Sequence, residues 1–438
     1  MQRSDDARLG PWMTLSLVIG GIIGAGIFML PVALAPFGRN AVVGWLISGA
    51  GVLCIGFALT RLVTSDGAGL QAYVERSFGP SAGFLVAWSF CFSQWAANAA
   101  LAIAAASAIS RIEDSFAVPA AVTALAVGFI AFLTLVNAAG ARAMGRLAVV
   151  TTALKVLPLF AAIALVALNG IEGRPTEPLA PMPITIDNIA AAVALTLFAL
   201  TGFENATAPV GKIRDPAQTI PRAILLGTAF VALLYLVSST AVLWLLTPEQ
   251  AAVSAAPFAD ALGTRWGESA ALLAALGMAI SAFGCLNGGI MVAGELGYSM
   301  ALRGDMPQAL ARTRGANTPI ISQLVGSGLA ILLVLLNSSK TTAGLFTFVI
   351  LLSTVGALII YLVGSIAALR QRPSGLAIAV ILVGIAFSLF AFYGAGLEAN
   401  LWGLVLVAAG FAIRWLIRSL NSRAPIPAAE TAPAAPRE

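Results

Sequence analysis

Gly20-Gly21-Ile22-Ile23-Gly24-Ala25-Gly26 and Leu200-Thr201-Gly202-Phe203-Glu204-Asn205 are the two stretches on which the fold of this chain turns. Each falls near the middle of an apolar run long enough to cross a bilayer. Glycine is among the poorest helix formers, so four of them within seven residues invite the first run to unwind. At membrane depth, unwound backbone survives only where protein buries it or where it lines a water-filled cavity. Two broken helices in corresponding positions of two halves mark the binding region of a secondary transporter.

The rest of the composition agrees with a membrane setting. The 438 residues are 59% hydrophobic and 10% charged; a soluble domain carries about 25% charged residues. A helix needs about 20 apolar residues to span the hydrocarbon core. Such runs occur at about 12–36, 41–63, 82–109, 118–139, 146–168, 188–211, 222–246, 269–302, 318–337, 343–369, 374–394 and 399–419. The expected fold class is therefore an all-α polytopic membrane protein with twelve transmembrane helices. No connection is long enough for a soluble domain, which leaves one transmembrane domain over 1–420. The stretch from Thr247 to Gly267, with Pro248, Asp260 and Arg265, reads as an interfacial helix. The Pro- and Ala-rich tail, 421–438, reads as disordered and cytoplasmic.

The net charge of +5 reflects topology and not nucleic-acid binding. With a cytoplasmic N-terminus, Arg61, Arg76, Arg142, Arg146, Arg214, Arg303, Arg370, Arg372, Arg414 and Arg418 all fall on the cytoplasmic side. The opposite side holds Arg39, Arg111, Arg174, Arg265 and Lys340. This asymmetry is the positive-inside pattern, and miscounting one span would scramble it. Cys54, Cys91 and Cys285 lie within spans and read as small buried hydrophobes, not as a disulfide framework. The chain has no histidine, which removes the commonest metal ligand and the usual proton shuttle. No metal or other cofactor is expected. The first run is too long for a signal-peptide core and lacks a cleavage site.

The interrupted runs are the first and the sixth. That spacing fits a five-plus-five inverted repeat, about 12–168 and 188–369, with trailing helices at about 374–419. Segments 3 and 8 then flank the broken pair as scaffold. Gly284, Gly288, Gly289 and Gly294 in segment 8 read as close helix packing. The spacing of Gly20 and Gly24 alone would also mean packing. The glycine run, however, continues to Gly26 and is followed by Ile27, Phe28 and Pro31, and segment 6 carries an ionisable residue beside its break. A carboxylate inside a span is costly and marks function.

Three charged side chains lie well inside the predicted spans: Lys155, Glu204 and Glu295. Lys155 is too deep to snorkel, about nine residues of helix from Arg146 at about 1.5 Å each. A buried lysine that gains and loses a proton can take the part that sodium plays in related architectures. The competing reading is a permanently charged lysine tying segment 5 to carbonyls freed in segment 1. Glu204 reads as a gate beside the break, or as a cap on freed amides of the second half of segment 6. Glu295 reads as the structural partner of an arginine, and Asp215 with Pro216 as the cap of the next segment. The half-helix ends define the ligand: free N–H groups suit a carboxylate, and free carbonyls suit an ammonium group. A zwitterion with both on one carbon fits between them. Phe198, Trp95 and Phe90 are candidates for an aromatic wall, and Asn98 for a hydrogen-bonding contact.

At these residues the chain resembles the amino acid–polyamine–organocation transporter superfamily, and within it the arginine/agmatine antiporter group. The matching pieces run from Gly20 to Phe28, through Tyr73-Val74-Glu75-Arg76-Ser77-Phe78-Gly79-Pro80 and Gly202-Phe203-Glu204, to Arg214-Asp215-Pro216. The resemblance implies a substrate carboxylate on the backbone of Ala25 and Gly26, and Gly24, Ala199 and Gly202 are further candidate substrate-binding residues. It implies an amino group on the carbonyls of Ile22, Phe198 and Thr201. Glu204 resembles the family's gating glutamate and Asn98 its segment 3 asparagine. Lys155 resembles the lysine that proton-coupled members carry at the sodium-equivalent position. Departures from the arginine exchanger, with Phe198 in place of tryptophan and Gly289, Gly21 and Ala25 at other contact positions, point to a neutral or apolar amino acid.

The expected function is secondary active amino acid transport by alternating access across an inner membrane, proton-coupled through Lys155 and gated by Glu204. An amino acid/amine exchanger is the second reading and a non-transporting amino acid sensor the third. An enzyme is not expected, because no metal-ligand cluster or nucleophile pair is present. The implied partners are a small amino acid, the proton and the lipid bilayer, with no nucleic acid and with a homodimer left open.

Overall fold

The computed structural model describes residues 10–24, 26–62, 70–139, 144–204, 213–313 and 318–421. Ala25, Asn205 with the rest of segment 6, and the tail beyond Asn421 lie outside the described residues.

The expected runs have their helices within a few residues, except that the first is split and the sixth, expected over 188–211, has its helix only to Leu200. The first crossing is split into α1 (Pro11–Ile22) and α2 (Gly26–Leu34), and the chain bends by 45° between them. There follow α3 (Arg39–Thr60), a short α4 (Leu70–Phe78), α5 (Pro80–Ser110), α6 (Pro119–Ala139), α7 (Met144–Ile171), α8 (Ile186–Leu200) and α9 (Pro216–Leu245). Then come the short α10 (Pro248–Val253) and α11 (Pro257–Trp266), α12 (Glu268–Leu302), α13 (Ile320–Leu336), α14 (Thr342–Leu369), α15 (Gly375–Gly394) and α16 (Gly396–Asn421). The protein is an all-α, twelve-crossing membrane fold with its first crossing broken and its sixth interrupted. At 15 residues, α8 is only about 22 Å long at 1.5 Å per residue, too short to span alone. Thr185 starts it as an N-cap, accepting from the Asn188 amide at 3.2 Å.

Small residues and hydroxyls hold the bundle together, as expected where lipid removes the hydrophobic drive between helices. α5 packs chiefly on α12 and α14, α3 on α8 and α9, and α1 on α9. Between α3 and α8, Ser48 Oγ meets Thr196 Oγ1 at 2.7 Å. The long helices α5 and α12 pack on each other, and α5 also packs on α2 of the first crossing.

Three expectations need correction. Thr247–Gly267 is not one interfacial helix: Pro257 starts a second helix, and α11 turns inward so that buried Phe258 meets Phe28 of α2 edge-on at 5.7 Å. Arg111 fastens α11 from α5, reaching Asp260 at 2.5 Å and Glu268 at 2.8 Å. Arg265 pairs with Glu172 at its other end and holds that carboxyl below the usual carboxylate range. Asp215 stands at the start of α9 in a left-handed conformation (φ +46°), and its side chain makes no capping bond. Its carbonyl accepts the Thr219 amide at 2.9 Å instead. Glu295 is exposed on α12, and no arginine among the described residues pairs with it.

Candidate substrate site

The two gaps meet. At the end of α1 the Gly24 amide closes a three-residue turn onto the Ile22 carbonyl at 2.7 Å, and helix resumes at Gly26. α8 ends where Thr201 turns extended and Gly202 takes φ +107°, a conformation that glycine alone adopts without penalty. A Cβ on Gly202 would stand 2.5 Å from the Gly21 carbonyl oxygen, and one on Gly21 would stand 3.2 Å from the Gly202 oxygen. The turn after α8 thus touches the last turn of α1, backbone against backbone, with no side chain between them. One turn along, the Phe198 ring covers the start of α2 so closely that a Cβ on Gly26 would be 2.5 Å from it.

A cavity of about 470 Å³ opens beside this junction. Ile22, Gly24, Gly26, Asn98, Lys155, Phe198, Ala199, Thr201, Gly202 and Glu204 line it, which is every expected site residue except the undescribed Ala25. The first amides of α2 face one part of the wall and the last carbonyls of α8 another. This provides partial positive and partial negative ends within one small volume.

The carbonyls are less free than the sequence suggested. Ile22 accepts both the Gly24 amide and the Tyr235 hydroxyl, the latter at 3.2 Å. Phe198 accepts the Thr201 amide at 3.3 Å and the Thr201 hydroxyl at 2.7 Å. A carbonyl oxygen has two lone pairs, so an ammonium group cannot simply add to either. Ala199, on the wall, keeps a carbonyl that no described residue donates to.

Glu204 ties the sixth crossing to α14. Its carboxylate accepts the Gly202 amide and the Tyr361 hydroxyl, each at 3.0 Å, while Phe203 stacks on the Tyr361 ring at 5.4 Å. Lys155, only 7% exposed, faces the cavity without a hydrogen bond or ion pair to any described residue. It therefore does not tie segment 5 to carbonyls of segment 1 among the described residues. Asn98 is buried with neither amide atom bonded, and its oxygen sits where a Cβ on Gly289 would be, at 2.0 Å. An unsatisfied buried amide beside a cavity is a group waiting for a polar ligand or water.

Other assignments shift. Phe90 and Phe198 line the cavity, but Trp95 does not; it packs edge-on against Trp88 at 5.4 Å. Gly284, Gly288 and Gly289 form cavity wall, whereas Gly294 packs against Gln323 as expected. Ser93, Gln94, Cys285 and Ser353 also line the cavity and were not anticipated. Phe90, Gln94, Ala97, Asn98 and Leu101 share one face of α5, so following the helical period outward from Asn98 would have found Gln94. No sequence signal marked Tyr235 or Tyr361, whose roles depend on which helices become neighbours.

Residues 9–411 match the amino acid permease family. The chain belongs to that family. It is 26% identical over 418 residues to the putrescine transporter PotE of Haemophilus influenzae, covering 93% of this chain and 96% of that protein. It is 25% identical over 439 residues to the putrescine transporter PotE of Escherichia coli, covering 95% and 98%. It is 27% identical over 351 residues to the cadaverine/lysine antiporter of Escherichia coli, covering 77% of each chain. The resemblance to the amino acid–polyamine–organocation superfamily, with its antiporter-type members, thus holds across nearly the whole length. This permease is a multi-pass membrane transporter and not an enzyme.

Proposed function

We propose that this permease is an amino acid exchanger whose preferred cargo is a zwitterion with an uncharged side chain. The exchange mode is supported by the relatives, one of them an antiporter by name, over the net proton-coupled uptake that the sequence favoured. The cargo rests on one observation: among the described residues, the cavity wall carries one ammonium group, Lys155, and one carboxylate, Glu204. A diamine such as putrescine brings two positive charges to a wall with a single carboxylate already engaged by Tyr361 and Gly202. An uncompensated charge in such surroundings is strongly disfavoured. A neutral amino acid adds none. Its carboxylate would approach Gly26 and the start of α2, and its ammonium group the Ala199 carbonyl and, once the Tyr235 hydroxyl gives way, that of Ile22. Termini on the cytoplasmic side of an inner membrane are supported by the arginine asymmetry.

Counterflow in proteoliposomes tests this, with radiolabelled leucine, lysine and putrescine as probes. Leucine should enter only when unlabelled leucine waits inside, and putrescine at least about tenfold more slowly, the penalty of roughly 1.4 kcal/mol for imperfect charge matching. Equal rates for putrescine and leucine would reject the charge argument. Saturable binding without flux would instead make the protein a sensor.

Lys155, without a partner among the described residues, supports a second element, a proton that travels with the exchange cycle. A carrier coupled to one proton responds to a gradient of one pH unit by up to about tenfold in accumulation. Lys155→Met should remove that response and leave leucine binding measurable. A gradient response that persists in Lys155→Met would separate the lysine from the proton.

A further inference from the structure

We propose that the Tyr235 hydroxyl ties the gap in the first crossing to α9 while the carrier is empty, and that an incoming ammonium group releases the tie. The loaded carrier then changes conformation more readily than the empty one. This rests on the exchange reading above and supplies a physical cause for it.

Tyr235 is fully buried in the middle of α9, with its ring edge-on to Trp45 of α3 at 5.8 Å. That packing fixes the ring and leaves only the hydroxyl hydrogen free to turn. The hydroxyl donates to the Ile22 carbonyl at 3.2 Å, and the Gly24 amide donates to that same carbonyl oxygen at 2.7 Å. Among the described residues, no other side-chain hydrogen bond joins α9 to the first crossing. Elsewhere α1 meets α9 through apolar contacts such as Val18 and Leu15 against Gly227, across which helices slide without breaking polar bonds.

The position of Ile22 makes the exchange of partners possible. Ile22 lines the cavity and Tyr235 does not, so the carbonyl is approached from the α9 side by the hydroxyl and from the cavity by a ligand. With the Gly24 amide on one lone pair, ammonium and hydroxyl compete for the other. An ammonium donor makes the stronger, charge-assisted bond and displaces the neutral hydroxyl. Tyr235 does not touch the cargo in this scheme; it is a positioning residue acting through the Ile22 backbone.

Tyr235→Phe keeps the ring packing and removes only the bond. Cys285 lines the cavity and serves as a reporter in a Cys54→Ala, Cys91→Ala background. Its labelling by a membrane-impermeant maleimide is measured from each face of substrate-free proteoliposomes. The ratio of the two rates cancels any change in intrinsic thiol reactivity. In the unaltered carrier one face should dominate; in Tyr235→Phe the ratio should move towards unity by about fivefold, the worth of one neutral hydrogen bond. Net leucine efflux without external leucine should rise by a similar factor relative to counterflow. A merely structural tyrosine would lower thermal stability and leave the ratio unchanged, and an unchanged ratio overturns the proposal. Should the variant not fold, adding leucine to the Tyr235 protein must shift the ratio in the same direction, and no shift is equally fatal. Absence of leucine counterflow in the unaltered protein would reject the exchange reading on its own, whereas the substrate-free labelling addresses the tie alone.

Discussion

Alanine in place of Gly202 should abolish exchange in a protein that still inserts and purifies as a monodisperse species. Two independent penalties meet at this position. Its φ of +107° lies in a region that side-chain-bearing residues avoid, at about 1–3 kcal/mol for a forced occupant. The added Cβ would also stand 2.5 Å from the Gly21 carbonyl oxygen, and that neighbour is backbone, with no rotamer to turn aside. Relief must come from separating the two gaps, which moves the Gly202 amide away from Glu204 and enlarges the junction beside the cavity. A displacement of about 1 Å in a binding constellation is worth about a hundredfold in rate, so leucine counterflow should fall by at least that factor. Gly128→Ala is the control: a Cβ there meets nothing within 4 Å, and exchange should be unchanged. Activity of Gly202→Ala within threefold of the unaltered carrier would mean that contact between the gaps is not needed for transport.

Asp305→Ala should produce the largest loss of stability available from a single polar substitution. Asp305, in the turn after α12, and Arg414, in α16, have side chains only 7% and 6% exposed and meet at 2.7 Å. The guanidinium also donates to Ser81 Oγ at 3.1 Å and the Pro80 carbonyl at 3.0 Å, and lies over the Phe84 ring at 4.8 Å. This knot fastens the last crossing to the beginning of α5. Removing the carboxylate leaves a buried guanidinium uncompensated, which costs about 3–5 kcal/mol. Arg418 also reaches Asp305, at 2.9 Å, but it is half-exposed and adds little. Replacing both partners, Asp305→Leu with Arg414→Met, should restore much of the loss, because no lone charge remains. Thermal unfolding in detergent decides it. A single-variant loss below about 1 kcal/mol would indicate a hydrated pair, comparable to those on a surface.

Much of this protein was legible before any coordinates. The spans could be placed because each is a continuous apolar run of bilayer length, a signal carried by the run itself. The breaks could be placed because glycine and a mid-membrane glutamate are local departures from that signal. Lys155, Glu204 and Asn98 stood out by the same logic, as polar groups where only apolar ones are free of penalty. Lipid makes such departures expensive, and these three lie on the cavity wall, whereas Glu295, marked by the same signal, is exposed on α12.

What could not be read was partnership. The assignment of Ile22 and Phe198 as open acceptors overlooked Tyr235 and Thr201, which occupy them. Tyr235 is separated from Ile22 by more than 200 positions, and Tyr361 from Glu204 by more than 150. Residue type alone could not sort Trp95, which packs in the core against Trp88, from Phe90 and Phe198 on the wall, and the inward turn of α11 depends on Phe258 finding Phe28. Sequence alone determined that this chain crosses the membrane twelve times and interrupts two crossings, because hydrophobic length and helix propensity are local properties. Only the tertiary structure decided that the interruptions touch, which carbonyls remain open and which tyrosine holds each gap, because hydrogen bonds between distant helices exist only once packing has chosen the neighbours.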